Sequence, residues 1–335
     1  MSFLKVEDLS IYYRMKRGDC EAVETISFNI EKGDSVGLVG ESGCGKSTVA
    51  FSILRMLPFP GEIVNGHIYF EGKDLVTLTD EEIRNYRWNK ISMCFQGAMN
   101  ALNPIIRVSE QISEAIKQHD KTISKKDAKK RVRELFSLVG LNPNRVNHYP
   151  FEFSGGMKQR AMMVMALACD PQLLIADEPT TALDVTVQAQ IMELLKKLVD
   201  ELGFTLLLIT HDLSVVAETC QKVIIMYAGK IVESGTVVAL FDKPLHPYSQ
   251  GLIAAIPSIE RSKDHTLASI PGSPPNLQDP PKGCRFHPRC PYTQNICLTE
   301  SPPLEELLEG HFVACHLAVG RIRDEKYRTD WRDYK

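Results

Sequence analysis

The chain has 335 residues, 44% hydrophobic and 24% charged, enough for a sizeable core and roughly two to three domain-sized units. A formal net charge of −3 excludes the global basic character of a nucleic-acid binder. No uninterrupted apolar run approaches the ~18–20 residues of a membrane span, and the opening Met1-Ser2-Phe3-Leu4-Lys5 lacks a signal-peptide apolar block. A cytoplasmic protein that reaches membranes through partners is therefore expected.

Residues 3–39 read as β-rich. Leu4, Val6, Leu9, Ile11 and Tyr13 alternate, as do Val23, Ile26, Phe28 and Ile30. An apolar run, Val36–Val39, then enters Gly40-Glu41-Ser42-Gly43-Cys44-Gly45-Lys46-Ser47-Thr48, which fits G-x-x-x-x-G-K-[ST]. A triphosphate demands close backbone N–H groups, which glycines permit, and a helix N-terminus aimed at it. Lys46 reaches the outer phosphates in this pattern, and the Ser47 hydroxyl ligates Mg²⁺. Cys44 beside a helix start is either a reactive thiol or, preferably, a small loop filler. The helix stops near Pro58 and Pro60, and His67–Phe70 forms a short strand closed by Gly72.

Residues 97–170 read as a mostly helical insert. Val108, Ile112, Ala115 and Ile116 share helical spacing, as do Val132, Leu135, Phe136 and Val139, with Gly140 as a stop. The lysine-rich stretch 121–133 reads as a solvated helix face. Ser154-Gly155-Gly156 at a helix start forms a second anion-binding end. Leu173–Ala176 is a buried parallel strand ending in Asp177-Glu178. There Asp177 suits Mg²⁺ and Glu178 suits orienting or deprotonating a water. A helix bearing Val187, Ile191, Leu194, Leu195 and Leu198 follows, ended by Gly203, and then strands at 205–209 and 223–226. His211 ends the first of these strands, near the expected γ-phosphate, and Gln96 ends another strand-like run, Ile91–Phe95. On local sequence alone Gln96 reads as a surface residue. Beyond about residue 240, prolines from Pro244 to Pro281, Pro257 among them, mark a loop-rich extension.

Phe153-Ser154-Gly155-Gly156-Met157, Gln96, Asp177-Glu178, Ala182-Leu183-Asp184 and His211 stand in an order that resembles the ATP-binding-cassette ATPases, over residues 1–240. The resemblance implies an α/β P-loop NTPase of ABC type: a RecA-like parallel-sheet core and antiparallel β subdomain (1–96 and 171–240), a helical signature subdomain (97–170) and a loop-rich extension (241–335). It implies Lys46, Ser47, Gln96 and Asp177 on phosphate and Mg²⁺, Glu178 as catalytic base, His211 as switch histidine and Tyr13 stacked on adenine, with Tyr12 turned to the opposite face. Two chains would pair head-to-tail, with Ser154, Gly155 and Gly156 facing the partner's ATP and Asp184 at the contact. Phe153 and Met157 depart from the usual L-S-G-G-Q.

Leu245-His246-Pro247-Tyr248-Ser249-Gln250-Gly251-Leu252, together with Ala101-Leu102-Asn103-Pro104, resembles the dipeptide/oligopeptide importer ATPases. That likeness implies ATP-driven peptide import at the cytoplasmic membrane face, through two transmembrane permease subunits and an extracytoplasmic peptide-binding protein. A second ATPase subunit, either a copy or a related chain, would complete the assembly. Nickel or small-solute importers and soluble non-transport cassette proteins are the alternatives. Cys284, Cys290, Cys297 and Cys315 are separated by five, six and seventeen residues, unlike the tight C-x₂-C of many zinc sites. Soft thiolates suit zinc or iron–sulfur. The resemblance implies a 4Fe–4S cluster, with zinc or free thiols as alternatives and His287, His311 and His316 as further candidate ligands.

Overall fold

A computed structural model describes residues 2–16, 18–97, 101–181, 183–256 and 269–323. Ala182 and Pro257 lie outside the described residues. In chain order the elements are β1 (Leu4–Tyr13), β2 (Cys20–Ile30), β3 (Ser35–Val39), α1 (Lys46–Ile53), β4 (Gly61–Phe70), β5 (Lys73–Asp74), α2 (Asp80–Tyr86) and β6 (Ile91–Cys94). Next come α3 (Val108–His119), α4 (Lys125–Leu138), α5 (Gly155–Leu167), β7 (Leu173–Asp177), α6 (Val185–Leu202), β8 (Thr205–Thr210), α7 (Leu213–Thr219), β9 (Lys222–Tyr227) and β10 (Lys230–Thr236). The chain finishes with α8 (Val237–Asp242), α9 (Pro247–Ala254), α10 (Asn295–Thr299), β11 (Glu305–Leu308), β12 (His311–Val313) and α11 (His316–Arg323). Two compact units form: Met1–Ile30 with Val36–Lys73 and Thr210–Lys335, and Glu31–Ser35 with Asp74–Ile209.

In the first unit β1 pairs antiparallel with both β2 and β4. The apolar alternation of β1 changes phase between Val6 and Leu9 because Asp8 is left-handed, with φ 47°. Thr25 does the same in β2, with φ 47°. The register shifts at the same place, so Leu9, Ile11, Ile26 and Phe28 stay on the buried side. Such paired bulges twist the ribbon without exposing its apolar face. Pairing with β1 also runs β4 back to Gly61, well before the short strand expected at His67–Phe70. In the same unit β3 pairs parallel with β9 and β10 antiparallel with β9, while β12 and β11 add antiparallel strands beyond β10.

The second unit carries the expected helical region together with the parallel strands β6, β7 and β8. The predicted helix faces are buried at Val108, Ile112, Ala115 and Ile116, at Val132, Leu135, Phe136 and Val139, and at Ile191, Leu194, Leu195 and Leu198, while Val187 is half-buried. Asp184 caps α6 by accepting from the Val187 amide at 3.0 Å, and Gly203 ends it in the left-handed conformation with φ 69°. Lys125, Lys126, Lys129 and Lys130 of α4 are exposed, as a solvated face requires. Within the second unit the sequence reading missed α2. α2 opens on a capping box in which Thr79 and Glu82 exchange hydrogen bonds.

The extension is more ordered than its prolines suggest, because one buried carboxylate organises it. Glu233 of β10 is fully buried. Its Oε1 accepts from the Leu245 amide at 2.8 Å and bonds His311 Nε2 at 2.7 Å, and its Oε2 accepts from the His246 amide at 2.8 Å. His246 Nδ1 in turn accepts from the Tyr248 amide at 3.0 Å. β12 and the start of α9 are thereby tied to one strand. The hydrogen bonds made here offset the burial of these polar groups, although His311 Nδ1 is buried with no partner among the described residues.

Candidate active site

The first unit holds the phosphate loop. β3 is buried along its length and delivers the chain into Gly40–Gly45. Gly45 is left-handed, with φ 101°, and forms the N-cap of α1. A Cβ there would stand 2.4 Å from the Ala22 carbonyl oxygen, and one at Gly40 would stand 2.2 Å from that of Met226. Close backbone approach, as well as backbone conformation, therefore demands these glycines. Lys46 is 5% exposed, and its Nζ donates to the carbonyl oxygens of Gly40 at 2.7 Å and Glu41 at 3.0 Å. Its charge thus sits within the curl of the loop. Cys44 is buried beneath the loop, and that burial pushes its thiol pKa up despite the nearby Lys46. The loop-filler reading, not the reactive thiol, fits this setting.

Tyr13 Oη lies 3.5 Å from Thr48 Oγ1, so the tyrosine expected at the adenine does border the end of the loop. Gly61 clears room beside its ring, since a Cβ there would stand 2.7 Å from Tyr13 Cε1. Tyr12 instead lies under the Arg14 guanidinium, 5.8 Å from its ring centroid, with Glu21 and Glu24 nearby. Strand alternation separates the two tyrosines as expected. His211 is exposed immediately after β8.

The second unit holds the carboxylates. Asp177 ends β7 and is 1% exposed. Its neighbour on β6, Cys94, has its thiol pKa pushed up to about 12, chiefly by burial. Gln96 Nε2 donates to Glu178 Oε2 at 2.7 Å, and Thr181 Oγ1 donates to the same oxygen at 2.9 Å. Gln96 is therefore not simply a surface residue. Local sequence could not reveal the bond, because 82 positions separate the partners. Thr181 was missed by the sequence reading, although a threonine three residues after a loop carboxylate is a recognisable local partner. Glu178 also has φ 44°. A non-glycine residue held there is strained, and such strain persists where surrounding bonds over-determine it. The Glu178 amide donates to the Ile209 carbonyl at 2.9 Å, which is one of those bonds.

Ser154 Oγ accepts from the Met157 amide at 3.4 Å and caps α5. Gly156 has a packing duty besides any role toward an anion: a Cβ there would stand 2.8 Å from Val187 Cγ1 of α6.

Residues 23–181 match the family described as "ABC transporter", and residues 232–297 match "Oligopeptide/dipeptide transporter, C-terminal region". The chain is 48% identical to the oligopeptide transport ATP-binding protein OppD of Bacillus subtilis strain 168, covering 92% of this chain and 87% of that one. It is 44% identical to the dipeptide transport ATP-binding protein DppD of Escherichia coli K12, covering 94% and 97%. The chain belongs to the ABC transporter family. Within that family it groups with the peptide-type ATP-binding subunits, whose C-terminal region it shares. Among solved structures, the dimeric post-hydrolysis ATP-binding cassette MJ0796 bound to ADP and Pi is similar at 30% identity and TM-score 0.63, over 70% of this chain and 98% of that one. No helix among the described residues is long and apolar enough to cross a membrane.

The matched C-terminal region, residues 232–297, contains Cys284, Cys290 and Cys297, and Cys315 follows beyond it. Cys284 and Cys290 are half-buried, Cys297 and Cys315 are buried, and all four are free thiols. Burial pushes Cys284 up to about 11 and Cys315 up to about 12, with Cys290 close enough to add to both shifts and Cys297 to that of Cys284. The four thiols therefore share one neighbourhood. Among the described residues, however, no group of three His, Cys, Asp or Glu is arranged to hold a metal ion. The donor chemistry suits a soft metal centre, but the arrangement is not preformed. The same region also sends two residues to the phosphate loop that the sequence reading did not assign there: Tyr248 and Arg289, both bonded to Glu41.

Proposed function

We propose that this chain is the ATP-hydrolysing subunit of a di- or oligopeptide importer, seated peripherally at the cytoplasmic face of the membrane. Lys46 and Ser47 take the phosphates, with Ser47, Gln96 and Asp177 serving Mg²⁺. Glu178 orients and deprotonates the attacking water, and His211 contacts the γ-phosphate. Tyr13 stacks on adenine. The observation that carries this reading is the Gln96–Glu178 bond of 2.7 Å, which fixes the carboxylate oxygen of a strained loop residue. Family membership and the shared C-terminal region favour peptides as cargo.

A second cassette pairs head-to-tail, so that Ser154, Gly155 and Gly156 face the partner's nucleotide and Asp184 lies at the contact. A dimeric solved relative favours such pairing. Two permease subunits receive the motion, and an extracytoplasmic binding protein supplies the peptide. Vesicles carrying the assembled transporter are expected to accumulate peptide only with MgATP on the side of this chain. Accumulation without ATP, or of nickel but not peptide, would overturn the assignment.

Cys284, Cys290, Cys297 and Cys315 are proposed as ligands of a 4Fe–4S cluster, with zinc as the alternative. Four free cysteines whose soft sulfur donors suit such a centre, with Cys284 and Cys290 each acting on Cys315, support this. When bound, such a centre would staple a segment with little core of its own. An anaerobically purified chain should contain about four irons and four acid-labile sulfides. Stoichiometric zinc, or neither metal, would reject the cluster.

A further inference from the structure

Glu41, the first residue after Gly40 in the phosphate loop, is gripped on every side by its own unit. Its backbone amide donates to Tyr248 Oη at 3.0 Å. Its carbonyl accepts from Lys46 Nζ at 3.0 Å. Its carboxylate receives both arms of the Arg289 guanidinium, Nη1 to Oε2 at 2.6 Å and Nη2 to Oε1 at 3.0 Å. A parallel two-bond fork fixes orientation as well as distance, which a single contact cannot do.

Arg289 is itself immobilised. It is 8% exposed. Its Nε donates to the Pro271 carbonyl at 2.8 Å, and Nη1 also reaches Tyr227 Oη at 3.3 Å. The guanidinium lies 5.7 Å from the Tyr227 ring centroid. Tyr248 is fully buried, and its ring stands 4.7 Å from that of Tyr227 and 5.4 Å from that of Phe286. The clamp is therefore built on a rigid aromatic cluster rather than on a surface loop.

An exposed ion pair would contribute little. This one is different in kind. Its arginine is buried, and its carboxylate belongs to the loop that must receive a triphosphate. Without Arg289, an unneutralised negative charge would stand beside the ligand's own, and the loop would lose its lateral anchor.

We propose that Arg289, supported by Tyr248, is a positioning residue for the phosphate loop, through which the C-terminal extension sets the affinity for nucleotide phosphate. The inference rests on the reading of Gly40–Thr48 as the ATP site. Arg289 touches no phosphate; it acts through Glu41. The nucleotide affinity of this subunit therefore depends on a segment 248 residues away in the chain.

The test measures ATP binding to the purified full chain by displacement of a fluorescent ATP analogue, alongside steady-state ATPase kinetics. Arg289→Ala should weaken ATP binding about tenfold, a difference of ~1.4 kcal/mol. The change should appear in KM, with kcat at saturating ATP within about twofold of the parent. Arg289→Lys keeps the charge but not the fork, and should recover only part of the affinity. Glu41→Gln combined with Arg289→Ala should bind no more weakly than Arg289→Ala alone, since both act through one pair. Parental affinity in Arg289→Ala, or losses that multiply in the double variant, would overturn the proposal. So would a loss confined to kcat. If Arg289→Ala does not fold, Arg289→Lys and Glu41→Gln decide the question by the same readout. Lys46→Ala separates the two readings. If it binds ATP like the parent, the ATP-site reading itself fails; if it loses ATP while Arg289→Ala does not, only the positioning role fails.

Discussion

Glu178→Gln is expected to bind MgATP as tightly as the parent and to hydrolyse it at least ~100-fold more slowly, the lower end of what a positioned general base contributes. The amide keeps the shape of the carboxylate and can still meet Gln96 and Thr181 after rotating. It cannot take a proton. The side chain is held by two hydrogen bonds and the backbone by the bond from the Glu178 amide to the Ile209 carbonyl, so the substitution should leave the backbone in place. Pre-steady-state ATP cleavage and equilibrium binding on the same preparation provide the measurement. Turnover within about threefold of the parent would remove Glu178 from the base's role. Gln96→Ala is the natural companion, because it frees one Glu178 oxygen without deleting the carboxylate.

Gly45→Ala is expected to have an effect of comparable size at an earlier step. One methyl group meets two separate obstacles: a left-handed backbone with φ 101° and the Ala22 carbonyl oxygen at 2.4 Å. Neither obstacle is the flexible end of a side chain, so the start of α1 must shift. Lys46 is the next residue, and its Nζ would lose register with the carbonyls that now hold it. ATP affinity should fall at least ~100-fold, about 2.7 kcal/mol, while the melting temperature moves by only a few degrees. Binding titrations beside a thermal melt would show it. Retained affinity would mean that the loop tolerates another path.

Both residues were legible in the sequence, and for the same physical reason. A glycine requirement and a strand-terminal carboxylate pair are local statements, written within a few residues of the feature they create. The helix faces of α3, α4 and α6 were legible too, since burial with a period of 3.6 leaves a mark in any helical window. The phase change in β1 was visible as Val6 followed by Leu9, but its cause, the left-handed Asp8, belongs to a bulge shared among three strands. The least legible features were those that join distant positions. Glu233, His311 and His246 make one buried network whose pairing leaves no mark in the local sequence, where His311 stood out only as a candidate metal ligand. Arg289 lies between two cysteines that draw attention to themselves, while its own partner is the first residue of the phosphate-loop turn. Proline density spoke for loops in the extension. It could not report that β11 and β12 would find an open edge at β10.

The hydrogen bond from the Tyr248 amide to His246 Nδ1 exists only while that imidazole is neutral. Burial lowers the His246 pKa to about 4, whereas in an unfolded chain a histidine titrates near ~6.5. Between those values the unfolded chain binds a proton that the folded chain refuses. The stabilisation from this residue is thus complete above ~6.5 and is lost as pH falls toward about 4, reaching ~3 kcal/mol in all. Urea midpoints measured from pH 7 to pH 4.5 should fall accordingly. His246→Asn, which can accept the same amide without titrating, should flatten the curve by close to one proton. Acid would therefore unseat α9, and with it the tyrosine behind the phosphate loop.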